Sequence, residues 1–175
     1  MDAHRLSQDE HCARAASEFG PALDRLARGY ERDADRQRDL LQDIHFALWR
    51  SFETYQGLSS LRTWVYRVAH NTAASHVMKD KRARTSKWVD LDAAVDAPDP
   101  ATLGDAHAAT DTLARLIDLI HQLRPPDRQV MLLYLDDLDA RETGEITGLS
   151  AGAVATRIHR IKALLASRFN TSDQS

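Results

Sequence analysis

Apolar residues along this chain recur at intervals of three and four, and strict apolar–polar alternation is sustained nowhere, so the pattern predicts helices throughout. Ala13, Ala16, Leu23, Leu26 and Tyr30 mark a first amphipathic segment, with an interruption or restart expected at Gly20-Pro21. A second segment, from about residue 36 to 52, places Leu41, Ile44, Leu48 and Phe52 on one stripe. Its other side carries Arg38, Asp39, Gln42, Asp43, Phe46 and Trp49, and so is not simply polar. Gly57-Leu58-Ser59-Ser60 breaks the chain. A third segment then turns Leu61, Trp64, Val65, Val68, Ala69 and Ala73 inward.

The stretch 94–104, with Asp-Ala-Pro-Asp-Pro inside it, reads as a linker. Beyond it the helices shorten. Leu113, Leu116, Ile117, Ile120 and Leu123 form one stripe, and Pro125-Pro126-Asp127 stops that helix and starts another. Asp139 can cap a short helix ending at Gly148, and Ser150 can cap the last one. Val154, Ile158, Ile161 and Leu165 give the last helix its seam, with Ala153, Thr156, Arg157 and Arg160 on the other side.

Composition narrows the class. The chain has 175 residues, 43 % hydrophobic and 28 % charged, which excludes wholesale disorder. Only 7 Gly and 5 Pro argue against a many-turned β fold. One Cys excludes a disulfide framework and a Cys-based zinc module, and suits a reducing cytosol. The first residues hold no apolar signal core, and the longest apolar run, Val130 to Leu135, is far short of the ~20 residues of a membrane span. A cytoplasmic protein with no membrane contact, monomeric when free, is expected. Eight His show no ligand spacing, so no metal or cofactor is expected. No Ser/His/Asp arrangement or phosphate-cradling glycine loop is found, so no catalytic residue is assigned and the chain reads as a non-enzyme.

The net charge of −3 conceals an uneven distribution. Arg62 to Lys87 holds seven Lys/Arg against one acid, Trp88 to Asp111 six Asp and no base, and Ser150 to Asn170 four bases and no acid. Two basic blocks separated by an acidic stretch point to two polyanion-facing modules. The final forty residues fit a helix-turn-helix, with Gly148 in the turn and Gly144 where two helices cross closely. Ser150, Ala151 and Gly152 let backbone approach phosphate at a helix start, while Thr156, Arg157 and Arg160 can reach bases or phosphates.

Two stretches together resemble a known family. One runs from Asp39-Leu40-Leu41-Gln42-Asp43-Ile44 through Leu48-Trp49-Arg50 and Leu61-Arg62-Thr63-Trp64-Val65-Tyr66-Arg67-Val68-Ala69-His70-Asn71 to the basic tail 79–84. The other is Leu123-Arg124-Pro125-Pro126-Asp127-Arg128-Gln129-Val130, followed by Glu142, Glu145-Ile146, Gly148 and Gly152-Ala153-Val154 to Arg157-Ile158-His159-Arg160. In this order they resemble the extracytoplasmic-function (ECF) sigma factors of bacterial RNA polymerase. The resemblance implies an all-α fold of two small helical domains. They would be sigma domain two (5–87) and a helix-turn-helix sigma domain four (109–170), joined by a flexible acidic linker (88–108).

It also implies the partners: core RNA polymerase, through its β′ clamp helices and β flap, and promoter DNA, and His70 and His159, inside the matched stretches, would face that DNA or solvent. By position, Asp39, Gln42, Asp43, Phe46 and Trp49 would bind polymerase. The loop 56–62 with Asn71 would receive a flipped base of the minus-ten element, and Arg62, Arg67, Lys79, Lys81, Arg82 and Arg84 would supply cations along the opened strand. Trp64 joins the minus-ten candidates, although its spacing with Leu61 and Val68 favours packing. Ser150, Gly152, Ala153, Thr156, Arg157 and Arg160 would read the minus-thirty-five element.

Three departures stand out. Thr143 and Thr147 replace larger apolar residues and predict a looser helix-turn-helix. Ser75 stands where an acid is common. Arg36 and Arg38 stand where acids commonly precede Asp39, which predicts weakened docking that added negative charge would restore. Candidate phosphorylation sites are Ser51, Thr54, Ser59, Ser60 and Thr63, and a Ser/Thr kinase or an anti-sigma factor is a candidate regulator. The alternative is a helix-turn-helix regulator with an N-terminal helical sensor domain, which leaves Asp39 to Asp43 unexplained.

Overall fold

Ser7 starts the first helix: its hydroxyl accepts the Glu10 amide and the Glu10 carboxylate accepts the Ser7 amide, so two donors left open at a helix start are satisfied. In the computed structural model, which describes residues 7–83, Trp88 and 108–172, α1 (Gln8–Tyr30) runs unbroken through Pro21. The expected interruption is absent because Pro21 and Ser17, whose carbonyl loses its partner, are both exposed and water can take the lost bond. The buried stripe of α1 is Ala15, Phe19, Leu23, Leu26 and Tyr30. Ala13 and Ala16, expected inward, are exposed, because the larger Phe19 takes the core position and Ala15 shares its face.

Asp33 caps α2 (Ala34–Ser51), accepting the amides of Asp35 and Arg36. Ile44, Leu48 and Phe52 are buried as expected, while Leu40 takes the fourth core position and leaves Leu41 half-buried at the edge. In α3 (Leu61–Ala83) the buried residues among those described are Thr63, Val65, Tyr66, Ala69, His70, Ala73 and Val77, flanked by half-buried Leu61, Trp64 and Val68. His70 therefore does not face DNA or solvent. It is 1 % exposed, its Nδ1 lies 3.0 Å from the Tyr30 hydroxyl, and burial lowers its pKa to about 3, leaving a neutral ring. The three helices are also tied by charge. Arg36 bridges Glu31 (3.2 Å) and Asp80 (2.8 Å), while His76 Nε2 lies 3.1 Å from Glu31.

The chain divides between Asp80 and Lys81 into two compact units. In the second, α4 (Ala108–His121), α5 (Pro125–Leu135), α6 (Ala140–Thr147) and α7 (Ala151–Ser172) pack around Ile120, Leu123, Val130, Leu133, Ile146, Val154 and Ile161. Leu113, expected on the inward stripe, is exposed, and Ile158 is half-buried. The buried Arg128 guanidinium donates to the carbonyls of His121 and Leu123, closing the α4 end against α5. Asp139 and Glu142 cap α6 reciprocally.

Gly148 ends α6 at φ 79°, a left-handed conformation that glycine adopts without penalty. A Cβ on Gly144 would lie 2.5 Å from the Leu149 carbonyl oxygen, so the α6–α7 turn closes only over a hydrogen. All described regular structure is helical. The expected linker 88–108 lies outside the described residues except for Trp88 and Ala108, as does Arg84, and the side chains of Lys81 and Arg82 are likewise undescribed.

Candidate functional site

Asp39, Gln42, Asp43, Phe46 and Trp49 are all exposed along α2, away from the Leu40/Ile44/Leu48 stripe. Phe46 is 60 % and Trp49 42 % exposed, and their rings stack at 6.4 Å. Two large rings left in water beside two carboxylates make a surface suited to a protein partner that buries the rings and offers cations. Trp49 is not loose: its indole Nε1 donates to Asp9 Oδ1 (3.0 Å), and Gln8 Nε2 donates to the Trp49 carbonyl (2.6 Å). Sequence reasoning missed both residues, because a helix-to-helix bond forty residues apart leaves no local signal.

Arg36 and Arg38 behave differently from the expectation that they oppose docking. Arg36 is held between Glu31 and Asp80, and the hydrogen bond to Asp80 raises its already high pKa. Arg38 pairs with Asp35. The Arg36 charge is met within the unit, which removes the physical ground for charge gating at that residue, whereas the Arg38–Asp35 pair is exposed and weakly coupled. The candidate hydroxyls are largely engaged as well. Ser51 donates to the Leu48 carbonyl and accepts from Trp64 Nε1. Ser60 accepts the Thr63 amide and donates to Thr63 Oγ1, and Thr63 is buried. Ser59 is half-buried; Thr54 is exposed, with its hydroxyl donating to the Ser51 carbonyl.

Between α2 and α3 the chain passes through Gly57 at φ 72° and presents Leu58, 91 % exposed. Tyr55 braces this loop by donating to the Ser59 carbonyl (2.8 Å). Trp64 packs on Tyr55 (5.1 Å) and donates to Ser51 (2.9 Å), so it supports the loop and is not a free stacking ring. Arg62 lies over the Tyr66 ring at 5.9 Å, Arg67 is half-buried, and Asn71 and Lys79 are exposed. Loop, Asn71 and cations thus belong to one helix and its entry.

In the second unit Ser150 accepts the Ala153 amide (3.1 Å) at the start of α7, and Gly152, Ala153, Thr156 and Arg160 are exposed beyond it. Arg157, expected on the outward side with Arg160, is instead half-buried and paired with buried Asp127 at 3.5 Å. Asp127 was read from sequence only as a helix-start residue. Cys12 is half-buried and its thiol pKa is pushed up, first by desolvation and then by Asp9, the opposite of an activated thiolate. Among the described residues no group of three or more His, Cys, Asp or Glu could hold a metal ion, and no helix is long and apolar enough to cross a membrane.

A helical unit with an acidic, aromatic face and a basic helix, followed by a helix-turn-helix unit, defines a DNA-engaging transcription protein. Residues 16–83 match the family model for sigma-70 region 2, and residues 113–165 that for sigma-70 region 4. The chain is 26 % identical over 152 residues to the RNA polymerase sigma factor SigV of Bacillus subtilis, covering 86 % of each. It is 26 % identical over 135 residues to the ECF RNA polymerase sigma-E factor of Haemophilus influenzae, covering 73 % of this chain and 71 % of that one. Its fold matches the sigma factor RpoE of Bartonella quintana, solved in complex with the anti-sigma factor NepR, at a TM-score of 0.64 and 20 % identity, over 87 % of this chain and 92 % of that one. The chain belongs to the ECF sigma factors: it is a transcription-initiation factor and not an enzyme, of a family that binds core RNA polymerase and promoter DNA. The region 2 match leaves a sensor domain in the first half without support.

Proposed function

We propose that residues 5–87 act as sigma domain two and residues 109–170 as sigma domain four, with 88–108 as the linker between them. In this reading Asp39, Gln42, Asp43, Phe46 and Trp49 dock on the β′ clamp helices of core polymerase. The loop around Leu58 with Asn71, Arg62, Arg67, Lys79, Lys81, Arg82 and Arg84 opens and holds the minus-ten element. Ser150, Gly152, Ala153, Thr156, Arg157 and Arg160 engage the minus-thirty-five element while the second unit meets the β flap. The protein works in the cytoplasm, monomeric until it joins polymerase.

The observation that carries the docking assignment is the stacked, exposed Phe46/Trp49 pair flanked by Asp39 and Asp43. The complex of the similar fold with an anti-sigma factor supports an anti-sigma protein as the regulator here. If a kinase also acts, Thr54 is the exposed hydroxyl beside the docking helix. The test is the affinity of core polymerase for Phe46→Ala and Asp43→Lys chains, each expected about tenfold weaker or worse, as for the central residues of an interface. Parental affinity in both variants would overturn the docking assignment.

A further inference from the structure

The family match begins at residue 16, yet two side chains ahead of it reach the docking helix. Gln8 Nε2 donates to the carbonyl of Trp49, one of the last four carbonyls of α2, which have no partner within the helix. One residue later, Asp9 accepts the Trp49 indole N–H at 3.0 Å. The Ser7/Glu10 capping box already caps the start of α1, so the Asp9 carboxylate is not needed for that role. His11, on the same end of α1, stacks on Phe52 at 5.5 Å and meets the edge of Tyr55 at 5.3 Å, so the segment is seated over the end of α2 at several points.

We propose that Asp9 is a positioning residue for polymerase docking: it holds the exposed indole of Trp49 in the orientation in which Trp49 and Phe46 present one aromatic surface. The inference rests on the docking role proposed for α2. An exposed tryptophan with a free N–H samples several rotamers in water and must be ordered when a partner buries it. Asp9 orders it beforehand, so the free protein bears that cost and the complex does not. The interaction needs an acceptor oxygen, not a charge. Asp9→Asn keeps such an oxygen within reach of the indole Nε1, whereas Asp9→Ala removes it.

The experiment uses the full chain with core polymerase. Asp9→Ala should bind about threefold to tenfold more weakly, the range expected for ordering one large side chain, while Asp9→Asn binds like the parent. In the 19F spectrum of chain labelled with 5-fluorotryptophan, the resonance lost in Trp49→Phe is expected to shift and broaden in Asp9→Ala and to stay in place in Asp9→Asn. Trp49→Ala is measured alongside. If Trp49→Ala is weak and Asp9→Ala binds like the parent, the Asp9 inference alone is overturned. If Asp9→Asn falls as far as Asp9→Ala, charge and not positioning is at work, and the inference is again overturned. Parental affinity in Trp49→Ala overturns the docking role and this inference with it.

Discussion

Replacing Thr143 by valine should stabilise the second unit, although it removes a hydroxyl from a native structure. Thr143 is fully buried in α6, and its Oγ1 has no hydrogen-bond partner. A hydroxyl taken from water without compensation costs about 1–3 kcal/mol. Valine replaces that unpaired oxygen with a methyl group of nearly the same shape and has a similar helix propensity, so neither a cavity nor a backbone penalty offsets the gain. A net gain of about 1 kcal/mol raises the melting temperature of a domain this size by roughly 4–8 °C.

Thr147, one turn later, supplies the control. Its Oγ1 donates to the Thr143 carbonyl at 2.8 Å and accepts the Leu149 amide at 3.4 Å, so Thr147→Val loses bonds and should cost about 1 kcal/mol. The same substitution four residues apart is thus expected to act with opposite signs. Calorimetry of both full-length variants, following the second unit's transition, checks this. A Thr143→Val transition at or below the parent's temperature would refute the reasoning.

Gly144→Ala should destabilise the same unit by about 2 kcal/mol and weaken minus-thirty-five binding, because its Cβ meets the Leu149 carbonyl oxygen, a backbone atom that cannot swing aside; chemical denaturation measures it. Arg36→Ala should cost the first unit about 1–3 kcal/mol by leaving Glu31 and Asp80 without their shared cation, and Arg36→Asp should give no gain in polymerase affinity, as binding and unfolding titrations will show. His70 makes the first unit sensitive to acid. Its folded pKa of about 3 lies below the ordinary value of 6.5, so the unfolded chain binds the extra proton. Stability should therefore be complete above about pH 6.5 and fall as pH drops, approaching about 1.4 kcal/mol per unit. His70→Gln should flatten that fall above about pH 5, and denaturant titrations across pH check both.

Helix existence was legible in the sequence wherever apolar spacing was strong, and the caps at Asp139, Gly148 and Ser150 were legible because they use local chemistry. Phase was less so. Leu40 and Leu41 both fit a three-and-four spacing with Ile44 and Leu48, and only packing against the other helices selects Leu40. The five residues proposed for docking could be read on one exposed face because they stand off a periodic core. What escaped was every side chain whose partner lies far along the chain. His70 looked like a polar surface residue until Tyr30 met it, Arg36 looked unpaired until Glu31 and Asp80 closed on it, and Arg157 looked outward-facing until Asp127 drew it in.

Transcription by core polymerase on a library of genomic fragments, with and without this chain, tests the central claim most directly. Discrete run-off products should appear only when the chain is present. They should map to promoters sharing one minus-ten and one minus-thirty-five sequence, and should disappear with Phe46→Ala. Products identical with and without the chain, at concentrations where it is folded, would contradict its role as a promoter-selecting sigma factor.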